Sequence, residues 1–568
     1  MKKIIALTLV LVMMLSMLAG CGKAEPAAPE AAATEVTTQQ AAPEKQEEAP
    51  AAEAVSDPNE TEYYIIDSNT DVADAFDTVW WNATDLCRIM LFDRLVQCDT
   101  EGNPVNPQLA EKFEISPDGL VHTFTLRQDV KWHDGEAFTA DDVVWSIEAA
   151  LKASKLASVI QTQLNNIKGA AEFVAGSAAN VSGVSAEGNV VTIELVQPSS
   201  MFMEAMSQFA PLPKHLLEGE DPATIHTSQF WQFPIGNGPY KFKEFVVGEY
   251  FTFERFDDYY GAKPIIKNVK SLILNAADYV VKTQANEIDY IQTRDPVTIE
   301  EVLLNANYSG SEFPVYYSRQ FSFNTMGYNG ATDGTRMNDI RVRQALNYAL
   351  DIPAIVEAIY GDYGTPIYTY IAPSAPGYTD DVEKYEYNPE KAKQLLTEAG
   401  FDFSQPIRIL EYWGDPTTYD LLDLIVYYFG EIGVQAEYFN AGADATAALN
   451  EVRDYDINLN AYNCGASRGM VYSILTNTGT IRADEDTRLD ELYAQMCAAP
   501  TLEEQTKLFQ QLQKAEAEYC FTIPLCTLKY FSLVNTAKLN TEGVNFLGDG
   551  FNYDRGFDKL SFNPEYFG

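Results

Sequence analysis

The chain has 568 residues, room for three or four domain-sized units, and its 46% hydrophobic and 21% charged content is that of a folded globular protein rather than a disordered one. Lys and Arg number 39 against 82 Asp and Glu, a formal net charge of −43. That balance argues against a nucleic-acid partner, which needs a basic footprint. The four histidines, His122, His133, His215 and His226, narrow the scope for acid–base and metal chemistry.

The first segment begins with Lys2 and Lys3, followed by the largely apolar Ile4–Met17. A bilayer-spanning helix needs about 20 apolar residues, so this run is expected to be the h-region of a signal peptide, residues 1–20. Leu18-Ala19-Gly20-Cys21 resembles the bacterial lipoprotein signal, which implies cleavage before Cys21 and lipidation of its thiol. Residues 21–60 are rich in Ala, Pro and Glu and lack aromatic residues. Such a segment cannot bury enough apolar surface to order itself, and it reads as a disordered tether with a span of roughly 35 Å. Localisation is therefore expected to be extracytoplasmic, with a lipid anchor on the outer face of the cytoplasmic membrane. The later cysteines, Cys87, Cys98, Cys464, Cys497, Cys520 and Cys526, show no CxxC spacing and are expected to be mostly buried and free.

In chain order, Tyr63–Ile66, His122–Leu126 and Val190–Leu195 have strand patterning. Thr139 is a plausible N-cap for a helix with acids in its first turn and an apolar face of Val143, Val144, Ile147 and Leu151. Tyr240–Val246 and Tyr250–Glu254 pair as a hairpin around Val247-Gly248-Glu249. Helices are expected over Asp339–Leu350, Pro389–Ala399, Thr418–Ile432 and Leu502–Glu518. Trp132-His133-Asp134-Gly135 reads as a turn with a core tryptophan, so His133 is not taken as a ligand. Gly236-Asn237-Gly238-Pro239 reads as a crossover turn, because it lacks the Lys-Ser/Thr ending of a phosphate loop. Strands and helices mixed in this way predict an α/β architecture with mixed sheets.

Five stretches, in order, resemble the family 5 extracytoplasmic solute-binding proteins, the peptide/nickel-binding component of ABC importers. They are Leu91–Val96 with Pro107–Phe113, Leu126–Val144, Ile235–Phe242, Asp339–Asp351 and Tyr387–Leu396. The resemblance implies a two-lobed periplasmic-binding-protein-like fold of type II, in the large peptide-binder subclass with an extra subdomain. It places lobe I at 61–96, 234–320 and 538–568, the inserted subdomain at 97–233, and lobe II at 321–537. It implies a monomer without cofactor or catalytic activity that captures a peptide or other small solute by lobe closure and passes it to ABC permease subunits. A surface lipoprotein of the same fold, acting as sensor or adhesin without a permease, is the alternative.

An enzyme reading rests on Gly465-Ala466-Ser467-Arg468-Gly469, which fits G-x-S-x-G. That hydrolase arrangement needs a histidine after the serine, and the last histidine here is His226. No H-E-x-x-H or calcium-loop pattern occurs either, so no metal site is expected.

Solute sites combine apolar or aromatic walls with a few fixed polar groups. Two loops have that composition: Thr78–Asn82, with Trp80, Trp81 and Asn82, and Tyr412–Asp415, with Tyr412 and Trp413. The resemblance adds Tyr462, Asn463, Gly465 and Arg468. It aligns the aspartate that pairs with a peptide's α-amine with Gly465, and a basic residue of oligopeptide binders with Leu459. Either the correspondence slips, or Asp415 or Asp444 substitutes, or the solute is not a standard peptide. Nickel chelates are disfavoured because lobe II carries no histidine.

Overall fold

The structure, a computed structural model, describes residues 57–68, 80, 86–100, 102–313, 315–328, 335–442, 445–463, 486–499, 501–546 and 553–567. The expected signal peptide, Cys21, the G-x-S-x-G stretch and Cys464 lie outside them. Of the described cysteines, Cys87, Cys98, Cys520 and Cys526 are buried and Cys497 is half-buried. Among the described residues, no helix is long and apolar enough to cross a membrane.

A seven-stranded mixed sheet runs in the order Tyr308–Phe313, Tyr530–Asn535, Tyr290–Thr293, Tyr63–Ser68, Asn268–Ile273, Tyr250–Arg255 and Tyr240–Val246. Tyr63–Ser68 pairs in parallel with both Asn268–Ile273 and Tyr290–Thr293. The last two strands form the expected hairpin, turned at Gly248, whose φ of 74° suits glycine. A six-stranded sheet takes the order Gly364–Pro366, Thr522–Leu528, Tyr317–Phe323, Ile457–Asn463, Ile407–Glu411 and Ala436–Asn440. Its last three strands are mutually parallel. These sheets form the hearts of the two lobes. A four-stranded antiparallel sheet, Ala110–Ile115, Val121–Leu126, Val190–Glu194 and Val184–Glu187, lies within the 97–233 stretch.

Local sequence explains these elements. Along Val121–Leu126 alternate residues are buried, with Phe124 and Leu126 in the core. The Ala140–Lys152 helix is closed by a capping box, the Asp142 carboxylate accepting the Thr139 N–H at 2.8 Å. Pro389–Ala399 begins on the Asn388 side chain and stops at Gly400, with φ 66°.

Strand pairing and capping depart from the expected boundaries at two places. The tether was expected to run through residue 60, but Asp57 already caps a helical turn, Pro58–Thr61. Asn59 Oδ1 accepts the Phe562 N–H at 2.9 Å, and Glu60 pairs with Arg255 at 2.8 Å. These long-range contacts order a segment whose composition alone predicts disorder. The chain also crosses between the large sheets earlier than expected. Tyr317–Phe323 already lies in the second sheet, and Tyr530–Asn535 has returned to the first, pairing with Tyr290–Thr293 and Tyr308–Phe313. Ladder hydrogen bonds, invisible to composition, decide this membership.

The two stretches that looked most like motifs interlock. Gly135 takes φ 98° and Trp132 is fully buried, as a turn with a core tryptophan requires. His133 Nδ1 accepts the Gly236 N–H at 3.1 Å, and its Nε2 lies 3.0 Å from the Gly238 carbonyl. Burial is the main cause of its pKa falling to about 4, so the ring is neutral at pH 7. A Cβ on Gly236 would sit 1.8 Å from the Leu91 carbonyl oxygen, so only glycine fits there.

Lobe II has two unlike faces. One carries Phe321, Ile457, Leu459, Ile523 and Leu525 in an apolar core. The other is polar although buried: Gln320 Nε2 donates to Asn460 Oδ1, and Asn460 Nδ2 to Ser322 Oγ, both at 2.8 Å. Helix Leu502–Tyr519 brings Glu516, 1% exposed, onto this face, where Oε1 accepts the Thr522 hydroxyl at 2.8 Å. Burial raises the Glu516 carboxyl to about 7, against its hydrogen bonds. The folded state therefore holds more protons than the unfolded state between the ordinary glutamate pKa and about 7, and this group's contribution to stability falls as pH rises through that window. The loss is on the order of 3 kcal/mol. Glu516→Gln removes the titration, so chemical denaturation should show wild type losing stability relative to the variant between pH 5 and pH 7.5. A difference constant across that range would contradict the assignment.

Candidate functional site

In open α/β sheets, ligands bind outside the carboxyl ends of the parallel strands. In lobe II those ends are Glu411, Asn440 and Asn463. Glu411 is fully buried and holds the loop that follows it. Oε2 accepts the N–H groups of Trp413 and Gly414 at 2.8 and 2.9 Å, and Oε1 accepts Asn440 Nδ2 at 2.6 Å. Gly414 has φ 69°, a turn that favours glycine. Asp415 then caps helix Pro416–Glu431, its two oxygens taking the N–H and hydroxyl of Thr418 at 3.0 and 2.6 Å. Burial works against the Asp415 carboxylate, but the Thr418 donors and the Arg319 charge outweigh it and keep its pKa below the ordinary value.

The loop so held presents a compact aromatic and cationic cluster. Tyr412 and Trp413, both half-buried, have ring centroids 4.5 Å apart. The Arg319 guanidinium lies 4.7 Å from the Trp413 ring and donates through Nη1 to the Tyr360 hydroxyl at 2.8 Å. Arg294, which follows the carboxyl end of Tyr290–Thr293 in the other large sheet, lies 4.6 Å from the Tyr317 ring. Burial, then the neighbouring Tyr317 phenol, pushes the Tyr412 phenol above its usual range. The cluster can stack a flat group, meet an anion and accept hydrogen bonds. It holds no nucleophile–base pair, and among the described residues no group of three or more His, Cys, Asp or Glu is arranged to hold a metal.

Of the sequence-derived site residues, Tyr412 and Trp413 meet here. Tyr462 lies near the Tyr412 phenol. It pairs across the ladder with Ser318 on the polar side of the sheet, its ring 5.1 Å from Tyr370. Trp80 lies in the core. It is 3% exposed, stacks on Phe209 at 5.7 Å and donates its indole N–H to the Ala210 carbonyl at 2.8 Å. It fills core because its polar atom finds a partner there. Trp81, Asn82, Gly465, Arg468, Asp444 and the Asn463 side chain lie outside the described residues.

Sequence reasoning missed Arg319, Tyr317, Tyr360 and Arg294. Arg319 had a signal. Along Tyr317-Ser-Arg-Gln-Phe-Ser-Phe323 it shares the parity of the core residues Phe321 and Phe323. A cation in an apolar row marks a special position.

A family profile described as bacterial extracellular solute-binding proteins, family 5 Middle, matches residues 104–484. The dipeptide-binding protein of Escherichia coli (strain K12) is 30% identical over 377 residues, 62% of this chain and 66% of that protein. A putative ABC transporter peptide-binding protein of Brucella abortus (strain 2308) is 30% identical over 358 residues, 61% of this chain and 62% of the relative, so the match spans less than two thirds of that protein's length. Among solved structures, the ABC transporter substrate binding protein CtaP from Listeria monocytogenes superposes with a TM-score of 0.75 at 23% identity, covering 89% of this chain and 100% of that one. AppA, the oligopeptide-binding protein from Bacillus subtilis in complex with a nonapeptide, gives 0.70 at 21%, covering 88% and 98%. At these identities the superpositions speak to fold.

Proposed function

Because the chain belongs to the family 5 bacterial extracellular solute-binding proteins, whose members bind cargo for transport rather than act as enzymes, we propose that it captures a small solute between its lobes and delivers it to an ABC permease. The observation that carries this reading is the cluster of Tyr412, Trp413, Arg319 and Tyr360, held by Glu411 at the carboxyl ends of the lobe II strands. An aromatic wall with a few fixed polar groups is the composition of a solute site. The relatives' names include peptide and dipeptide binding, which supports a peptide-like or other polar, aromatic solute. Lobe I is proposed to run from residue 57 to 313 and again from 530, with the 97–233 insertion, and lobe II from 317 to 528. Hinge closure buries the solute. Trp81, Asn82, Asn463, Gly465 and Arg468 retain the ligand-facing roles that the family resemblance gives them, as does Tyr462.

Trp413→Ala tests the site. Calorimetric titration with the solute released from denatured wild-type protein should show a loss of about 1–3 kcal/mol, one to two powers of ten in affinity. Unchanged affinity would move the site elsewhere.

The same proposal has the protein held to the outer face of the cytoplasmic membrane by lipid on Cys21, with the following segment as tether. Cys21→Ser should release a folded protein into the soluble fraction. A variant that still sediments with membranes after a salt wash would exclude this anchor.

A further inference from the structure

In a chain with 82 acidic and 39 basic residues, a buried arginine that meets no carboxylate needs a reason. Arg319 is 6% exposed. Among the described residues it forms no ion pair; its contacts are the Tyr360 hydroxyl and the Trp413 and Tyr360 rings, and its Nε has no hydrogen-bond partner. Asp415, the nearby acid, has both oxygens engaged by Thr418. Arg343 shows what a purely structural buried arginine looks like in the same lobe. Its guanidinium is saturated by the carbonyls of Cys520, Met337, Asn338 and Tyr519.

A second cation approaches from the other lobe. Arg294 also forms no ion pair among the described residues, and it lies over Tyr317. Tyr317 and Arg319 are two residues apart on one strand and share a face, so they sit about 7 Å apart. Two guanidiniums thus lie near one ring; one of them is desolvated, and the acid near it, Asp415, has its oxygens already engaged by Thr418. An anion between them removes that penalty, and the planar guanidinium fork suits a carboxylate or phosphate. Building on the proposed solute-binding role, we infer that the solute carries such an anionic group, held by Arg319 of lobe II and Arg294 of lobe I, with the rest of the molecule against Trp413. Closure then places a charge clamp across the two lobes.

The test uses the mature chain, stripped of solute by denaturation and refolding. A hot-water extract of bacterial cells is separated by ion exchange at pH 7 into anionic, neutral and cationic fractions, and thermal melting is followed with each. The anionic fraction should raise the melting temperature of wild type, and the other two should not. Arg319→Met and Arg294→Gln should each lose most of that shift, with Arg319→Lys retaining part; Arg294 is half-exposed, which guards against a folding defect in the first variant. Trp413→Ala should lose the shift as well. A shift given only by the neutral or cationic fraction, or an anionic shift undiminished in both arginine variants, overturns the clamp and leaves the solute site standing if Trp413→Ala still abolishes the response. No shift of wild type with any fraction overturns the solute-binding role and the clamp with it.

Discussion

Asp289 and Lys538 form a buried ion pair at 2.8 Å, their side chains 0% and 9% exposed, and the seven-stranded sheet is tied together at that point. The same Asp289 oxygen accepts the Ile65 N–H at 2.8 Å, Lys538 also donates to the Tyr63 carbonyl at 3.2 Å, and the Asp289 carbonyl accepts the Asn535 N–H. Three segments distant in sequence are thereby fixed to one another. Burial raises the Asp289 pKa, and the Lys538 charge opposes that rise. Removing either partner alone would strand a buried charge, a loss typically of about 3–5 kcal/mol. Asp289 immediately precedes the strand Tyr290–Thr293, so the pair anchors the start of the strand that Arg294 follows.

The stretches that carry the family resemblance hold the fold. His133 and the Gly236–Gly238 turn clasp each other, and both turn glycines press on backbone near Leu91. Asn237 adds an acceptor for the Asp93 N–H at 2.9 Å. A neutral imidazole suits this role because one nitrogen can accept while the other donates. The loop that meets solute in the proposed function is instead organised by Glu411, whose two oxygens are filled by backbone and amide donors. In that proposal scaffold and site use different residues, which leaves the ligand chemistry free to vary on a constant frame.

Much of the fold was legible because its signals are local. Alternation along Val121–Leu126, the Asn388 and Gly400 caps and the Gly248 hairpin each follow from residue type and near neighbours. What escaped depends on distant partners. Tyr530–Asn535 reads as a strand in any lobe, and only its pairing with Tyr290–Thr293 assigns it. Asp57–Glu60 looks like the end of a tether until Arg255 and Phe562 meet it. Of the site, the Tyr412–Trp413 loop was legible from paired aromatics after a strand. The Thr78–Asn82 loop looked alike, but Ala210 supplies a carbonyl to Trp80 that no local pattern announces. Arg319 is visible as a parity violation, but charge on a strand is commonplace and does not by itself mark a site.

The central claim is that solute is held between two lobes that close on it. Small-angle X-ray scattering of the mature protein, stripped of solute and then saturated with the solute released from the native preparation, measures this directly. The account predicts a smaller radius of gyration on saturation, reversed when the solute is removed. An unchanged radius of gyration at saturating, calorimetrically verified binding would contradict it.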